Sequence, residues 1–278
     1  MKKIIILVLT IISSCTSLKE FPKEQYYSFI YNFDRTFKND SVYFHLKNPL
    51  MCPINIQLPK DSLNSNLDIL FGKITLCKLQ DTIINISFPN FSTTSKEKYI
   101  VKYGDPKREI TKNKIGLPFP KGRKYKIIQG FNGKFSHNSA TSKNAIDFSL
   151  KIGDTIASVD DGYVVGLIEK YKEFGTSKEW KEIDKSNYIT IYHPQSGLYS
   201  QYVHLNYNGA IIELGDYIQK GQPIGISGMT GYTTVEHLHF NVKIPTDRYG
   251  LISTEYEFEN GIKADKLKKG DVVKNITQ

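Results

Sequence analysis

Along most of this chain, apolar and polar positions alternate with a period of two. Ser41-Val42-Tyr43-Phe44-His45-Leu46, Ile54-Asn55-Ile56-Gln57-Leu58 and Thr82-Ile83-Ile84-Asn85-Ile86-Ser87-Phe88 read as strands with one face turned inward. Turn-rich stretches such as Lys60-Asp61-Ser62 and Phe88-Pro89-Asn90 separate them. Residues 19–37 are polar and aromatic without a clear period. Over residues 15–104 the pattern predicts a small N-terminal β-sandwich with an immunoglobulin-like outline. Pro106, Pro118, Pro120 and Gly122 crowd residues 105–124, which read as a linker. Beyond them the pattern changes, and glycines precede aliphatic runs, as in Gly162-Tyr163-Val164-Val165 and Gly221-Gln222-Pro223-Ile224-Gly225. These predict strands joined by tight turns with positive φ. Residues 125–262 form a second β-rich domain on this reading, and 263–278 a tail. The charged stretch 169–186 holds the only tryptophan, Trp180, and reads as a surface loop or short helix.

One segment breaks the alternation. Residues 4–12 are nine in a row with only Thr10 not aliphatic, directly after Met1-Lys2-Lys3. A bilayer-spanning helix needs ~20 apolar residues, so the run fits the core of an export signal. Ile12-Ser13-Ser14-Cys15 follows and resembles the lipobox of bacterial lipoproteins. That resemblance implies removal of residues 1–14 and a lipid on Cys15 that anchors the chain in the cell envelope. The alternative is a plain signal peptide with an incidental cysteine. Thr16 stands where some bacteria place an inner-membrane retention Asp, which favours the outer membrane or periplasm. Exported cysteines can persist as disulfides. Cys52 and Cys77 are therefore either bridged or two buried free thiols, and the sequence leaves both open.

Composition sharpens the class. Eighteen Tyr and 15 Phe, with many Ile, Thr and Val, favour strands over helices. The net charge of +9 favours anionic partners. No basic helix, zinc-finger spacing or RNA-binding aromatic motif is present, so nucleic acid is set aside. Anionic cell wall or membrane surface suits the export signal.

Five of the six histidines lie between residues 137 and 239. In His237-Leu238-His239-Phe240, a strand would send Leu238 and Phe240 to the core and both His to a common cleft. Such a pair can share a zinc ion, or one can bind zinc while the other handles protons. Alone, the pair would read as polar residues on a solvated strand. His137 and Asp147, ten positions apart, weaken that reading. Asp147 lies in the apolar segment Ala145-Ile146-Asp147-Phe148, where a carboxylate is costly unless paired or bound to a cation. A catalytic zinc takes three protein ligands and an open position. His137, Asp147 and one of the His237/His239 pair would supply them. In Gln201-Tyr202-Val203-His204-Leu205, alternation places Tyr202 and His204 on one face, and Val203 and Leu205 on the other. That suits His204 as a second proton-handling group. His193, before Pro194, reads as a turn or rim residue, and His45 as an unrelated residue of the other domain.

Together these residues resemble the lysostaphin-type, or LytM-like, zinc endopeptidases of bacterial cell wall. Several segments match in order: Gln129-Gly130-Phe131 with Ser136-His137, Ala145-Ile146-Asp147-Phe148, Gly153-Asp154-Thr155-Ile156-Ala157-Ser158, Asp161-Gly162-Tyr163-Val164-Val165, Tyr202-Val203-His204-Leu205 and His237-Leu238-His239-Phe240. The resemblance runs from about Tyr125 to Val242. It implies an antiparallel β-sheet peptidase domain with a groove over one zinc ion, held by His137, Asp147 and His239. His204 and His237 would be the catalytic histidines, and peptidoglycan stem peptides or cross-bridges the substrate. The chain departs from the tightest family pattern in three places. Nine residues separate His137 from Asp147 rather than three, Val235-Glu236 stands where Gly-Pro is common, and Asn241 where Glu or Gln is common.

Two rival functions remain at this level. Some relatives lose their zinc ligands and act as non-catalytic scaffolds that activate other wall hydrolases. A metal-keeping rival would cleave glycine-rich proteins or attack other cells. The N-terminal domain is expected to bind wall, cover the cleft as an inhibitor, or engage an envelope protein partner.

Overall fold

The computed structural model describes residues 28–31, 34–57, 72–87, 99–111, 114–183 and 185–277. The export signal, Cys15, and the turns at Lys60-Asp61-Ser62 and Phe88-Pro89-Asn90 lie outside the described residues. The fold is mostly β, as the alternation predicts.

In the N-terminal unit, the Ser41–Lys47 strand buries Val42, Phe44 and Leu46 completely and leaves the residues between them half-buried. It pairs antiparallel with Asp34–Lys38 on one side and Asp81–Ser87 on the other. A second antiparallel sheet runs in the order Ser28–Tyr31, Tyr99–Tyr103, Ile54–Gln57, Lys73–Leu76. Its Ile54, Ile56, Leu76 and Val101 join the same core. Two small sheets around one core are what a sandwich requires, while the immunoglobulin-like outline stays an expectation.

Cys52 and Cys77 are free, the first buried in this core and the second exposed. Ile54 faces Leu76 across the ladder. Cys52 is in phase with Ile54 and points inward, whereas Cys77 follows the inward Leu76 and points out. The thiols thus leave the sheet on opposite sides. Of the two alternatives, free thiols match the structure, with only Cys52 buried.

The second unit is built on a nine-stranded sheet among the described residues. Its path runs Tyr217–Ile218, Gly162–Ile168, Tyr188–Tyr192, Tyr199–Val203, Leu238–Thr246, Ile146–Phe148, Lys124–Gln129, Val272–Lys274, with Gly250–Ser253 beside Leu238–Thr246. Tyr188–Tyr192 and Tyr199–Val203 are buried at every position, because both faces of the sheet are covered. On one face Ile189, Ile191, Tyr202, Phe240 and Val242 share a core with Ile156, Leu205 and Ile224, which come from a three-stranded sheet. The other face carries Thr190, Gln201 and His239 towards one end of the strands. Towards the other end, Tyr192, Tyr199 and Leu251, with Val165, pack into the core of the N-terminal unit.

The two units therefore share buried surface. Tyr103 places its ring 6.4 Å from that of Tyr199, and its hydroxyl donates to the Val165 carbonyl. Lys102 Nζ donates to the carbonyls of Asp247 and Arg248. Gly104 (φ 87°) closes the junction, and a Cβ there would stand 2.4 Å from Pro245 Cβ. Residues 105–124, read above as a linker, bury Ile115, Leu117 and Phe119 in the second core. In the stretch read as a tail, Val272–Lys274 extends the large sheet beside Lys124–Gln129.

This junction generates a stability prediction. Tyr103→Ala empties a site lined by both units and should cost about 3–5 kcal/mol. Urea denaturation followed by circular dichroism should show one transition, shifted to lower urea, because the shared core couples the two units.

Candidate functional site

Three adjacent strands place the site. Asp147 lies directly across from His239, and His239 directly across from Val203. Cross-strand partners point to the same face, so the carboxylate and the imidazole meet without any loop. His137 reaches them from the segment after Lys124–Gln129, where its N–H donates to the Gly133 carbonyl at 3.0 Å.

The three side chains converge. His137 Nδ1 lies 2.8 Å from the Gly130 carbonyl. A carbonyl only accepts, so Nδ1 carries the proton and Nε2 presents its lone pair to the centre. That Nε2 is 3.1 Å from Asp147 Oδ1 and 3.2 Å from His239 Nδ1. His239 Nδ1 is 2.9 Å from the same Asp147 oxygen. Zinc–ligand bonds of about 2.0–2.1 Å in a tetrahedron set neighbouring donors about 3.3 Å apart. Two nitrogens and one carboxylate oxygen in a triangle of nearly that size are a donor set that fits zinc. Among the described residues, His137, Asp147 and His239 form the cluster able to hold a metal ion.

Electrostatics support the same use. Burial alone would push the Asp147 carboxyl up. The nearby His237, with the contacts to His137 and His239, outweighs it and holds the group well below the usual carboxylate range. Burial lowers His239 to about 4, against the pull of Asp147. Burial and the neighbouring His237 and His239 push His204 well below the usual imidazole value. At neutral pH the site thus offers an ionised carboxylate beside neutral His239 and His204.

His204 and His237 complete the centre. His204 Nδ1 donates to the Thr230 carbonyl at 2.6 Å, and His237 Nδ1 to the Val235 carbonyl at 2.9 Å. Neutral His204 therefore carries its lone pair on Nε2. The two ring centroids are 4.6 Å apart, and His237 Nε2 is 3.6 Å from Asp147 Oδ1.

The face assignment made from sequence around His204 is corrected here. Val203 sits across from His239 and lines the groove, whereas Tyr202 lies in the opposite core against Phe240. In strict alternation His204 would follow Tyr202 into that core. It does not, because its φ of 67° ends the strand and turns the ring to the groove side. A non-glycine residue there is strained, and such strain concentrates at functional sites. His193 opens the turn after its strand and stays outside the metal cluster, as expected, but it is buried and not at the rim, with Nδ1 donating to the Asp161 carbonyl and Nε2 bonded to Ser200 Oγ. His45 lies in the N-terminal unit.

Several supporting residues were missed by the sequence reading. Gln129 stands across from Asp147 on the neighbouring strand. Its Nε2 donates to Asp147 Oδ2 at 3.1 Å and to Ser136 Oγ at 2.9 Å, while its Oε1 accepts from the Phe135 N–H. It thereby leaves Oδ1 as the inward oxygen. Asn241 anchors the long insert before Asp147: its Nδ2 donates to the Thr141 carbonyl, which Lys243 Nζ also reaches. Glu236 accepts from Lys151 Nζ and the Ile152 N–H, fixing the approach to His237. Two of the three departures from the family pattern, at Glu236 and Asn241, thus have structural uses. Gln129 lies in a segment already matched by sequence, but its contact with Asp147, like those of Asn241 and Glu236, is made across strands or loops that the sequence does not show to be neighbours.

The site opens into a groove of about 630 Å³. Gln201 and Val203 line its floor, residues 135–142 one wall, and residues 232–235 the other. The charged insert forms the short helix Lys178–Ile183 and sets Lys181 and Glu182 at the rim. Its Phe174–Gly175 pairs in parallel with Gly231–Tyr232, so the insert props a groove wall instead of standing free in solvent.

Residues 141–250 match the family model described as Peptidase family M23. The chain carries an M23 peptidase domain. The matched segment holds Asp147, His204, His237 and His239, and His137 lies four positions before it. The chain is 35% identical over 153 residues to an uncharacterized metalloprotease of Buchnera aphidicola, covering 54% of this chain and 35% of that protein. It is 31% identical over 130 residues to the peptidoglycan DD-endopeptidase ShyB of Vibrio cholerae, covering 45% of this chain and 27% of the other. It is 36% identical over 97 residues to lysostaphin of Staphylococcus simulans, covering 34% of this chain and 17% of that protein. The match thus spans about a third or less of these relatives' lengths. Among solved structures, a zinc containing peptidase from Vibrio cholerae aligns over 73% of this chain and 53% of its own, at 22% identity and a TM-score of 0.33. The catalytic domain of lysostaphin aligns over 51% and 88%, at 24% identity and a TM-score of 0.32.

The Gln129 contact generates a prediction. Partners that orient metal ligands typically contribute 10–100-fold to affinity. Gln129→Ala should weaken zinc binding by about that factor, measured by competition with a fluorescent zinc indicator, without changing the melting transition by more than a few degrees.

Proposed function

We propose that this protein is a zinc-dependent endopeptidase that hydrolyses peptide bonds in peptidoglycan stem peptides or cross-bridges. The observation that carries this reading is the convergence of His137, Asp147 and His239 beside two further histidines whose tautomers are fixed. The three would hold one zinc ion per chain. When bound, zinc supplies Lewis acidity, polarising a peptide carbonyl and making water acidic near neutral pH.

The chain's own groups supply the rest. Thr230 locks His204 with its Nε2 free, and burial keeps that nitrogen unprotonated, so it can take a proton from an attacking water. His237, with Nδ1 held by Val235 and Nε2 facing Asp147, can donate to the developing oxyanion from Nε2 when that nitrogen carries a proton. Gln201 and the hydroxyls of Ser136, Thr141 and Thr233 line the groove with partners for a peptide backbone. The substrate class follows from the named activities of relatives, among them a peptidoglycan DD-endopeptidase and lysostaphin. The lipobox resemblance around Cys15 supports attachment to the cell envelope, and the basic charge supports an anionic wall as partner.

The test uses the chain from Thr16 with purified cell wall. Native protein should bind about one zinc and release new amine termini. His239→Ala should lose both. His204→Ala should keep its zinc and lose roughly 10²–10⁴-fold in rate. Native protein that binds zinc but releases no amines would point to the scaffold reading.

A further inference from the structure

Phe135 and Tyr232 stand on opposite walls of the groove, yet their rings meet. The centroids are 5.4 Å apart and the planes differ by 3°, a parallel stack. Both residues line the groove that holds His204, His237 and His239. Phe135 is 50% exposed, so the stack reaches solvent at the edge of the groove. The two rings therefore join the segments around Phe135 and Tyr232 that line the groove.

We infer that Phe135 and Tyr232 form an aromatic gate whose parting admits the substrate to the site, which makes the pair specificity-determining. The inference rests on the peptidase reading above for its substrate, though not for the gate itself. Each ring occupies the face that the other would offer to a ligand, so the stack must open before either can touch one. The backbones on both sides are fixed. The Phe135 N–H donates to Gln129 Oε1 at 3.2 Å. Tyr232 belongs to a strand paired with Phe174–Gly175, and a Cβ on the adjacent Gly231 would lie 1.8 Å from Ser186 Oγ. Opening is thus a rotation of side chains on fixed walls, fast compared with turnover. Its effect is a population cost: apparent affinity falls by the fraction of molecules that are open. A stacked aromatic pair favours the closed form by roughly two- to twelvefold.

The gate can be tested without a substrate. Zinc-loaded full-length protein is mixed with 1,10-phenanthroline, a flat aromatic chelator that must reach the metal through the groove, and zinc loss is timed. Phe135→Ala and Tyr232→Ala should each strip about two- to twelvefold faster than native protein. The double variant should be no faster than either single one, because all three lack the same stack. Phe135→Tyr should restore the native rate. Unchanged rates, or rates that multiply in the double variant, would overturn the gate. Wall digestion by the same proteins adds a second readout. The gate predicts a higher kcat/KM in the alanine variants with kcat unchanged. Slower digestion would mean that the rings grip the substrate, and the gate would be overturned. Faster stripping with no digestion by any protein would leave the gate standing and remove the peptidase reading instead.

Discussion

A carboxylate lies almost wholly buried in the middle of a nine-stranded sheet, at Asp147. In such a place a lone negative charge is too costly to keep. Everything around it answers that cost. His239 faces it on one neighbouring strand and Gln129 on the other, while His137 is folded back onto it from the following loop. His137 is held in turn by the Gly130 carbonyl, and Gln129 by Ser136 and the Phe135 N–H. The carboxylate ends with one oxygen committed to Gln129 and the other turned to two imidazole nitrogens. A divalent cation is the group that such a centre is built to take, because it neutralises the carboxylate and accepts the neutral imidazoles at once.

The sheet's two faces divide the labour. One face is sealed by aliphatic and aromatic packing against the three-stranded sheet and supplies rigidity. The other must be open at one end to form the groove, which leaves Tyr192, Tyr199 and Leu251 in need of cover further along. The N-terminal unit provides that cover. Its place on the same face as the groove gives it a structural part that is independent of any binding role.

Two local distortions tune the site. The φ of 67° at His204 diverts that ring from the core phase of its strand into the groove. The insert of residues 169–186 pairs with the groove wall through Phe174–Gly175, and Trp180 packs on Gly175 so closely that a Cβ there would fall within 2.1 Å of the ring. The wall that carries Tyr232 therefore owes its position to a segment that looks like a solvated loop in sequence.

The sequence by itself determined the elements and the chemistry. Period-two alternation marked Ser41–Lys47 and the strand of His239, and an acid among apolar neighbours at Asp147 could be read as a paired or metal-bound group. Those signals are legible because strand periodicity and the cost of a buried charge are local properties. Tertiary structure alone decided the rest. Which oxygen of Asp147 turns inward depends on Gln129, and which way His204 points depends on a backbone dihedral that alternation does not encode. Whether Cys52 meets Cys77 depends on the register between two strands. The union of the two units depends on Tyr103 and Tyr199, nearly a hundred positions apart. These outcomes rest on contacts between distant segments, and no window of neighbouring residues contains them.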